Sequence, residues 1–98
     1  MEEVKTIYLK NNIEDKIVIY YDNYKTLTAM LFNGLKRKAF KPYSLLTAQA
    51  RLNISDIAFN ITMAARMEAL KYAIYEYEEL IKTELKERYK GENLWKDY

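Results

Sequence analysis

The longest patterned segment of the chain is Ser55–Lys90, SDIAFNITMAARMEALKYAIYEYEELIKTELKERYK. It contains neither glycine nor proline, and its Ser-Asp start is suited to cap a helix. Its apolar side chains recur every three or four residues, which is typical of one face of an α-helix. The sequence therefore predicts one long amphipathic helix over 56–90. The members of its apolar stripe are Met63, Met67, Leu70, Ile74, Tyr77, Ile81 and Leu85.

Such a helix is long for a chain of 98 residues. At 1.5 Å per residue it would extend roughly 50 Å, whereas a compact domain of this size has a radius of gyration of only about 13 Å. We therefore expect its first half to pack inside the domain and its second half to contact a partner, with a homodimer as the simplest case. The residues predicted for this interface are Met67, Leu70, Ile74, Tyr77, Ile81 and Trp95.

The segments before the long helix predict three smaller elements. Val4–Leu9 and Lys16–Tyr21 are rich in β-branched and aromatic residues, so they predict a β-hairpin. Apolar residues at helical spacing after Asp22 predict a helix, which ends before Pro42. The predicted fold is α+β and mainly α, in a single domain 1–98: a hairpin over 4–21, two shorter helices over 24–38 and 44–52, the long C-terminal helix over 56–90, and a tail over 91–98.

The charges of the chain are segregated along the sequence. No carboxylate occurs between Asp22 and Asp56, although the formal net charge is only +2. A region with charges of one sign attracts anions such as nucleic acid or an acidic protein surface. The intervening residues 23–55 contain six cations, namely Lys25, Lys36, Arg37, Lys38, Lys41 and Arg51.

Aromatic residues stand among these cations. Phosphate-neutralising cations beside aromatics that stack on bases are the components of single-strand or RNA contacts. An alternative is a solvated helix end, where cations complement the helix dipole while Phe40 and Tyr43 anchor the chain to the core. The predicted nucleic-acid contacts are Lys36, Arg37, Lys38, Lys41, Arg51, Phe40 and Tyr43.

Two DNA-binding motifs also fit parts of the chain. Leu45–Thr62 has the apolar spacing of a helix-turn-helix, although Gln49 stands where close helix packing favours a small residue. Val4–Leu9 fits the strand of a ribbon-helix-helix, although a second strand-like run follows it before any helix. Neither motif accounts for the basic region.

The residue inventory argues against catalysis and a membrane location. The chain has no cysteine and no histidine, which removes disulfides, thiolate chemistry and the commonest general base and metal ligand. Glu78 and Glu79 point about 100° apart on a helix, so they do not converge on one ion. No apolar run approaches the roughly 20 residues of a membrane span, and no secretory signal follows Met1. We expect a cytoplasmic, non-enzymatic binding protein without cofactor or metal.

The alternative function is a protein–protein interaction module, such as an inhibitor or adaptor of the type carried by mobile elements or viruses. It would act through the aromatic-rich C-terminal helix and tail, because aromatic residues concentrate at interface hot spots. A purely structural oligomer is a third possibility. The aromatic residues of the alternative surface are Tyr72, Tyr75, Tyr89, Trp95 and Tyr98.

Three segments together give a family resemblance. They are the strand-like Val4–Leu9, the segment Tyr24–Leu35, and Ala64–Tyr72, which is rich in alanine. Their order over roughly residues 4–80 resembles the N-terminal strand and helices of the OrfB-type transposon-encoded RNA-guided nucleases. The resemblance implies contact with a guide RNA or a nucleic-acid duplex, or mimicry of part of such an assembly. The nuclease domain with its catalytic carboxylates has no counterpart in this chain, so no active-site residue is carried over.

Overall fold

The computed structural model describes the backbone of residues 1–9, 12–22 and 25–88, and all of their side chains except those of 12–14 and 88. An antiparallel sheet occupies the first half, and three helices follow it. The elements in chain order are β1 (Glu2–Leu9), β2 (Asn12–Tyr21), β3 (Thr26–Asn33), β4 (Lys36–Ala39), β5 (Tyr43–Ser44), α1 (Leu45–Arg51), α2 (Asp56–Ile61) and α3 (Met63–Arg88).

The sheet is a meander in which β1 to β4 lie side by side in chain order. The short β5 pairs with the beginning of β3, on the same strand that pairs with β4 further along. The predicted hairpin over 4–21 is present as β1 and β2. The prediction of a mainly α fold is wrong, because five strands form a sheet as substantial as the helical layer. Within the part of the chain that the structure describes, no helix is long and apolar enough to cross a bilayer.

The helix predicted over 24–38 is the main error, since this segment forms β3 and β4. Leu27, Ala29 and Leu31 alternate with less buried neighbours, which is the period of a strand with one face on the core. Leu27 and Leu31 are also four residues apart, so they match a helical period equally well. Local spacing alone therefore does not distinguish a helix from a strand here. The pairing of β3 with β2 and β4 is what makes this segment a strand.

A two-residue turn, Gly34-Leu35, joins β3 to β4 after the Asn33–Lys36 pair. Gly34 has a φ of +61°, in the left-handed region, and no heavy atom would lie within 4 Å of an added Cβ. A glycine at the first central position is typical of the type II′ hairpin turn. The turn therefore needs the backbone freedom of glycine rather than the space that its missing side chain leaves.

Replacing Gly34 with alanine is expected to lower the free energy of unfolding by about 1 kcal/mol, because alanine is strained at positive φ. Urea denaturation followed by circular dichroism measures the change. Leu35→Ala, next to it in the same exposed turn, is the matched control and should alter stability by less than about 0.5 kcal/mol. Equal stability of Gly34→Ala and the natural chain would show that the turn does not depend on this backbone conformation.

The helix predicted over 56–90 is divided in two at Thr62, whose φ of −103° and ψ of 119° are those of extended backbone. The second part, α3, has 26 residues and lies against the sheet. Its most buried positions recur every four residues, and the two alanines among them allow close approach to the strands. They are Ala69, Ala73, Tyr77, Ile81 and Leu85.

The predicted division of the long helix is wrong, because the buried face of α3 runs through both of its halves. Tyr77 and Ile81, assigned to a partner interface, are at most 2% exposed and face the sheet of their own chain. Met67, nearer the start of α3, is 48% exposed, and Leu70 and Ile74 are partly buried against the core. The distal half of α3 therefore has intramolecular cover. Trp95 and the tail 91–98 lie outside the described residues.

Candidate nucleic-acid interface

The carboxylate-free segment folds into β3, β4, β5 and α1 with their connections, and its six cations separate into two groups. Lys25 belongs to the first group, whose charges are engaged within the domain. Its Nζ lies 4.5 Å from the centroid of the Phe59 ring and 3.0 Å from Oδ1 of Asn60. Lys25 therefore ties the β2–β3 connection to α2.

Arg51 is the second engaged cation. Its Nη1 lies 2.6 and 2.7 Å from the two carboxylate oxygens of Glu76 on α3. The hydroxyl of Tyr72 donates to the same carboxylate at 2.5 Å, and that of Tyr43 lies 3.4 Å from it. The Tyr72 hydrogen bond and the Arg51 pair lower the pKa of Glu76. This cluster joins α1 to α3, so the predicted phosphate contact of Arg51 competes with a carboxylate.

The other four cations lie along the exposed edge of the sheet. Lys36, Arg37 and Lys38 belong to β4, which pairs with β3 on one side, and Lys41 follows two residues after the strand. All four are exposed. Within residues 1–9, 12–22 and 25–88, no ion pair joins any of them to a carboxylate. We refer to Lys36, Arg37, Lys38 and Lys41 as the basic edge.

Strand alternation distributes β4 over both faces of the sheet. Lys38 is paired with Leu31, a core residue, so its side chain belongs to the face of the sheet that α3 covers. Lys38 is nevertheless exposed, because it lies on the edge strand. Arg37 is opposite Phe32 and belongs to the other face. The consecutive cations of β4 therefore alternate between the two faces of the sheet along its edge.

The two aromatic residues predicted to stack on bases are in the core. Phe40 is 4% exposed, and its backbone N–H donates to the carbonyl of Ala29 at 2.9 Å. Tyr43 is 7% exposed, and its ring centroid lies 5.9 Å from that of Tyr77. These positions agree with the alternative in which both rings anchor the connection to the core. Their rings are covered by the domain itself and are not presented to a ligand.

The face of the sheet opposite α3 carries a different set of aromatics. The registers place Tyr8 opposite Lys16, Lys16 opposite Phe32, and Phe32 opposite Arg37, so four strands contribute to one row. Lys16 Nζ is 5.8 Å and Arg37 Cζ is 4.4 Å from the centroid of the Phe32 ring. Aromatic and cationic side chains thus alternate across the sheet. We refer to Tyr8, Lys16, Phe32 and Arg37 as the aromatic–cation row.

A second row beside it consists of Thr6, Val18, Met30 and Ala39. Val18 is only 3% exposed although it is not part of the core beneath α3, so its neighbours on the open face cover it. Three of its members are apolar, and the fourth, Thr6, carries a hydroxyl that donates to Glu3. Neither row was predicted from the sequence, because both depend on the register of the strands. The available signal was the strand period of two, which places Tyr8 on the face opposite that of the apolar Ile7 and Leu9.

The segment that fits a helix-turn-helix contains two short helices, α1 and α2, but several of its polar side chains are engaged in contacts within the domain. Gln49, which is buried, donates to Oδ1 of Asp56 at 2.6 Å. Ser55 caps α2, and Asn60 accepts from Lys25. The strand of the ribbon-helix-helix alternative is part of β1, which pairs with β2 of the same chain.

The sequence matches no known family, and comparisons with curated proteins and solved structures give no significant similarity. In the described part of the chain, no three His, Cys, Asp or Glu side chains are grouped as metal ligands would be. The function of the protein must therefore be inferred from the residues of the basic edge and of the open face.

Proposed function

We propose that this protein binds nucleic acid through the basic edge, without catalysing a reaction. The observation that supports the proposal most strongly is the exposure of four cations within six residues, with no carboxylate partner in the described structure. Cations in such an arrangement are free to neutralise successive phosphates and to release condensed counterions. Nucleic acid therefore remains the proposed ligand of the carboxylate-free region. Arg51, Phe40 and Tyr43 are no longer among the residues proposed to contact it.

Charged residues on an edge strand also prevent uncontrolled pairing with other chains. This protective role does not require a ligand. The basic edge continues past β4 to Lys41, beyond the last residue that pairs with β3 in that strand. Its extent therefore favours a ligand that follows the edge, such as a phosphate backbone.

The test is the salt dependence of binding to a fluorescein-labelled 12-nucleotide oligo-dT, measured by anisotropy between 50 and 400 mM KCl. Each phosphate contact on a single strand contributes about 0.7 to the slope of log affinity against log salt. Replacing three lysines of the basic edge with glutamine is expected to weaken binding and to lower this slope by about 2. The triple variant combines Lys36→Gln, Lys38→Gln and Lys41→Gln.

The matched control removes three exposed cations from α3 and so makes the same change in net charge. It should retain the slope of the natural chain. Equal slopes for both triple variants, or binding that does not depend on salt, would contradict contact through the basic edge. The control substitutions are Arg66→Gln, Lys71→Gln and Lys86→Gln.

Exposed apolar residues favour a second candidate function, a protein-binding module. Ile57 and Ile61 lie one turn apart on α2, and they are 72% and 75% exposed. Met63 and Met67, one turn apart at the start of α3, are also exposed. An exposed apolar patch of this kind is typical of a protein interaction site. It involves α2 and the start of α3, whereas the sequence suggested the C-terminal helix and tail for such a partner.

A further inference from the structure

We propose that the ligand is single-stranded and that its bases stack on the aromatic–cation row of the open face. This inference deepens the proposed function and rests on it, because the phosphates would follow the basic edge. It assigns the base contacts to Phe32 and Tyr8 in place of the buried aromatics that the sequence suggested.

The geometry of the row supports stacking. Neighbouring strands lie about 4.8 Å apart, so the two aromatics, which are two strands apart, are separated by roughly 10 Å. Tyr8 is 43% exposed, and Phe32 is partly exposed between Lys16 and Arg37. An antiparallel sheet with aromatic side chains on an open face is a recurring platform for unpaired bases.

Arg37 connects the row to the basic edge. Its guanidinium carbon is 4.4 Å from the centroid of the Phe32 ring, and Nη1 donates to the carbonyls of Gly34 and Lys36 at 3.1 Å each. These bonds hold the guanidinium over the ring, where its plane is itself a stacking surface for a base. One strand can therefore stack a base on the Arg37–Phe32 pair of the open face, while its phosphates pass around the edge strand toward Lys36 and Lys38 on the helix-facing side.

A duplex fits this arrangement less well. Its phosphates can reach the basic edge, but its bases are already stacked in the helix interior and offer no free face to Phe32 or Tyr8. A single strand presents both groups at once. The structure therefore favours an unpaired strand over a duplex of the same charge.

The experiment compares oligo-dT of 12 nucleotides with an abasic oligonucleotide of the same length, which carries the same phosphates without bases. We expect the natural chain to bind oligo-dT more tightly. Phe32→Leu keeps an apolar side chain but removes the ring, and it should weaken oligo-dT binding by about 5- to 150-fold while leaving the abasic ligand nearly unaffected. Phe32→Tyr should restore binding.

Tyr75→Leu is the control for loss of an exposed aromatic side chain, because Tyr75 is 66% exposed on α3. It should bind both oligonucleotides like the natural chain. Equal affinity for oligo-dT and the abasic ligand, with a slope that still depends on the basic edge, would overturn base stacking alone and leave the proposed function intact. Absence of salt-dependent binding to either ligand would contradict both proposals. Circular dichroism verifies that each variant is folded.

Discussion

Replacing Tyr77 with alanine is expected to lower the free energy of unfolding by about 3–5 kcal/mol, the usual cost of deleting a large buried aromatic side chain. Tyr77 is 2% exposed and is among the largest fully buried side chains of the core. Its ring packs beside Tyr43, and its hydroxyl donates to the carbonyl of Lys41 at 2.8 Å. The substitution would thus remove the contact between α3 and the connection that carries part of the basic edge. Urea denaturation measures the change.

Two further variants test this prediction: one separates the ring of Tyr77 from its hydroxyl, and the other is a control for the loss of a tyrosine side chain from α3. Tyr77→Phe keeps the ring and should cost only about 1 kcal/mol, the typical contribution of one hydrogen bond. Tyr75→Ala, two residues away on the exposed side of α3, should change stability by less than about 0.5 kcal/mol. Equal losses for Tyr75→Ala and Tyr77→Ala would contradict the orientation of α3 on the sheet.

Alkaline pH is expected to destabilise the protein by roughly 3 kcal/mol through Tyr77 alone. Burial, with a smaller contribution from the charge of Glu84, raises the pKa of Tyr77 from 10.0 to about 12. Between these values the unfolded chain loses the proton while the folded chain keeps it. The stabilisation is therefore complete below pH 10 and is lost as the pH rises toward 12.

The measurement is the free energy of unfolding of the natural chain and of Tyr77→Phe at intervals from pH 9 to pH 12. Every other titratable group is common to both proteins. The difference between the two curves isolates Tyr77, and the natural chain should lose its advantage as the pH rises. Parallel curves across the range would refute a buried, uncharged Tyr77.

The sequence predicted the elements whose patterns are unambiguous. The β-branched and aromatic hairpin of β1 and β2 and a long C-terminal helix are both present, but the buried face of α3 begins with Ala69 and Ala73 and not with the predicted Met63 and Met67. The segment 24–38 was misread because Leu27 and Leu31 satisfy helical spacing and strand alternation equally. Gly34 after Asn33 is a local signal that favours a hairpin turn at this point of the chain.

The candidate site was harder to predict than the fold. Charge segregation is visible in the sequence, but which cations remain exposed depends on partners distant along the chain. Glu76 is 25 residues from Arg51, and no local pattern predicts their contact. The alignment of Tyr8 with Phe32 requires the register of two strand pairs, since a slip of one residue would exchange the two faces.

The central claim is that one ligand strand contacts both the basic edge and the open face. Titration of the isotope-labelled protein with 12-nucleotide oligo-dT, followed by amide chemical shifts, tests it most directly. The claim predicts the largest shifts in residues 30–38, with smaller ones around Tyr8 and Lys16. Shifts concentrated instead on α2 and the start of α3, or no shifts at low salt, would contradict it.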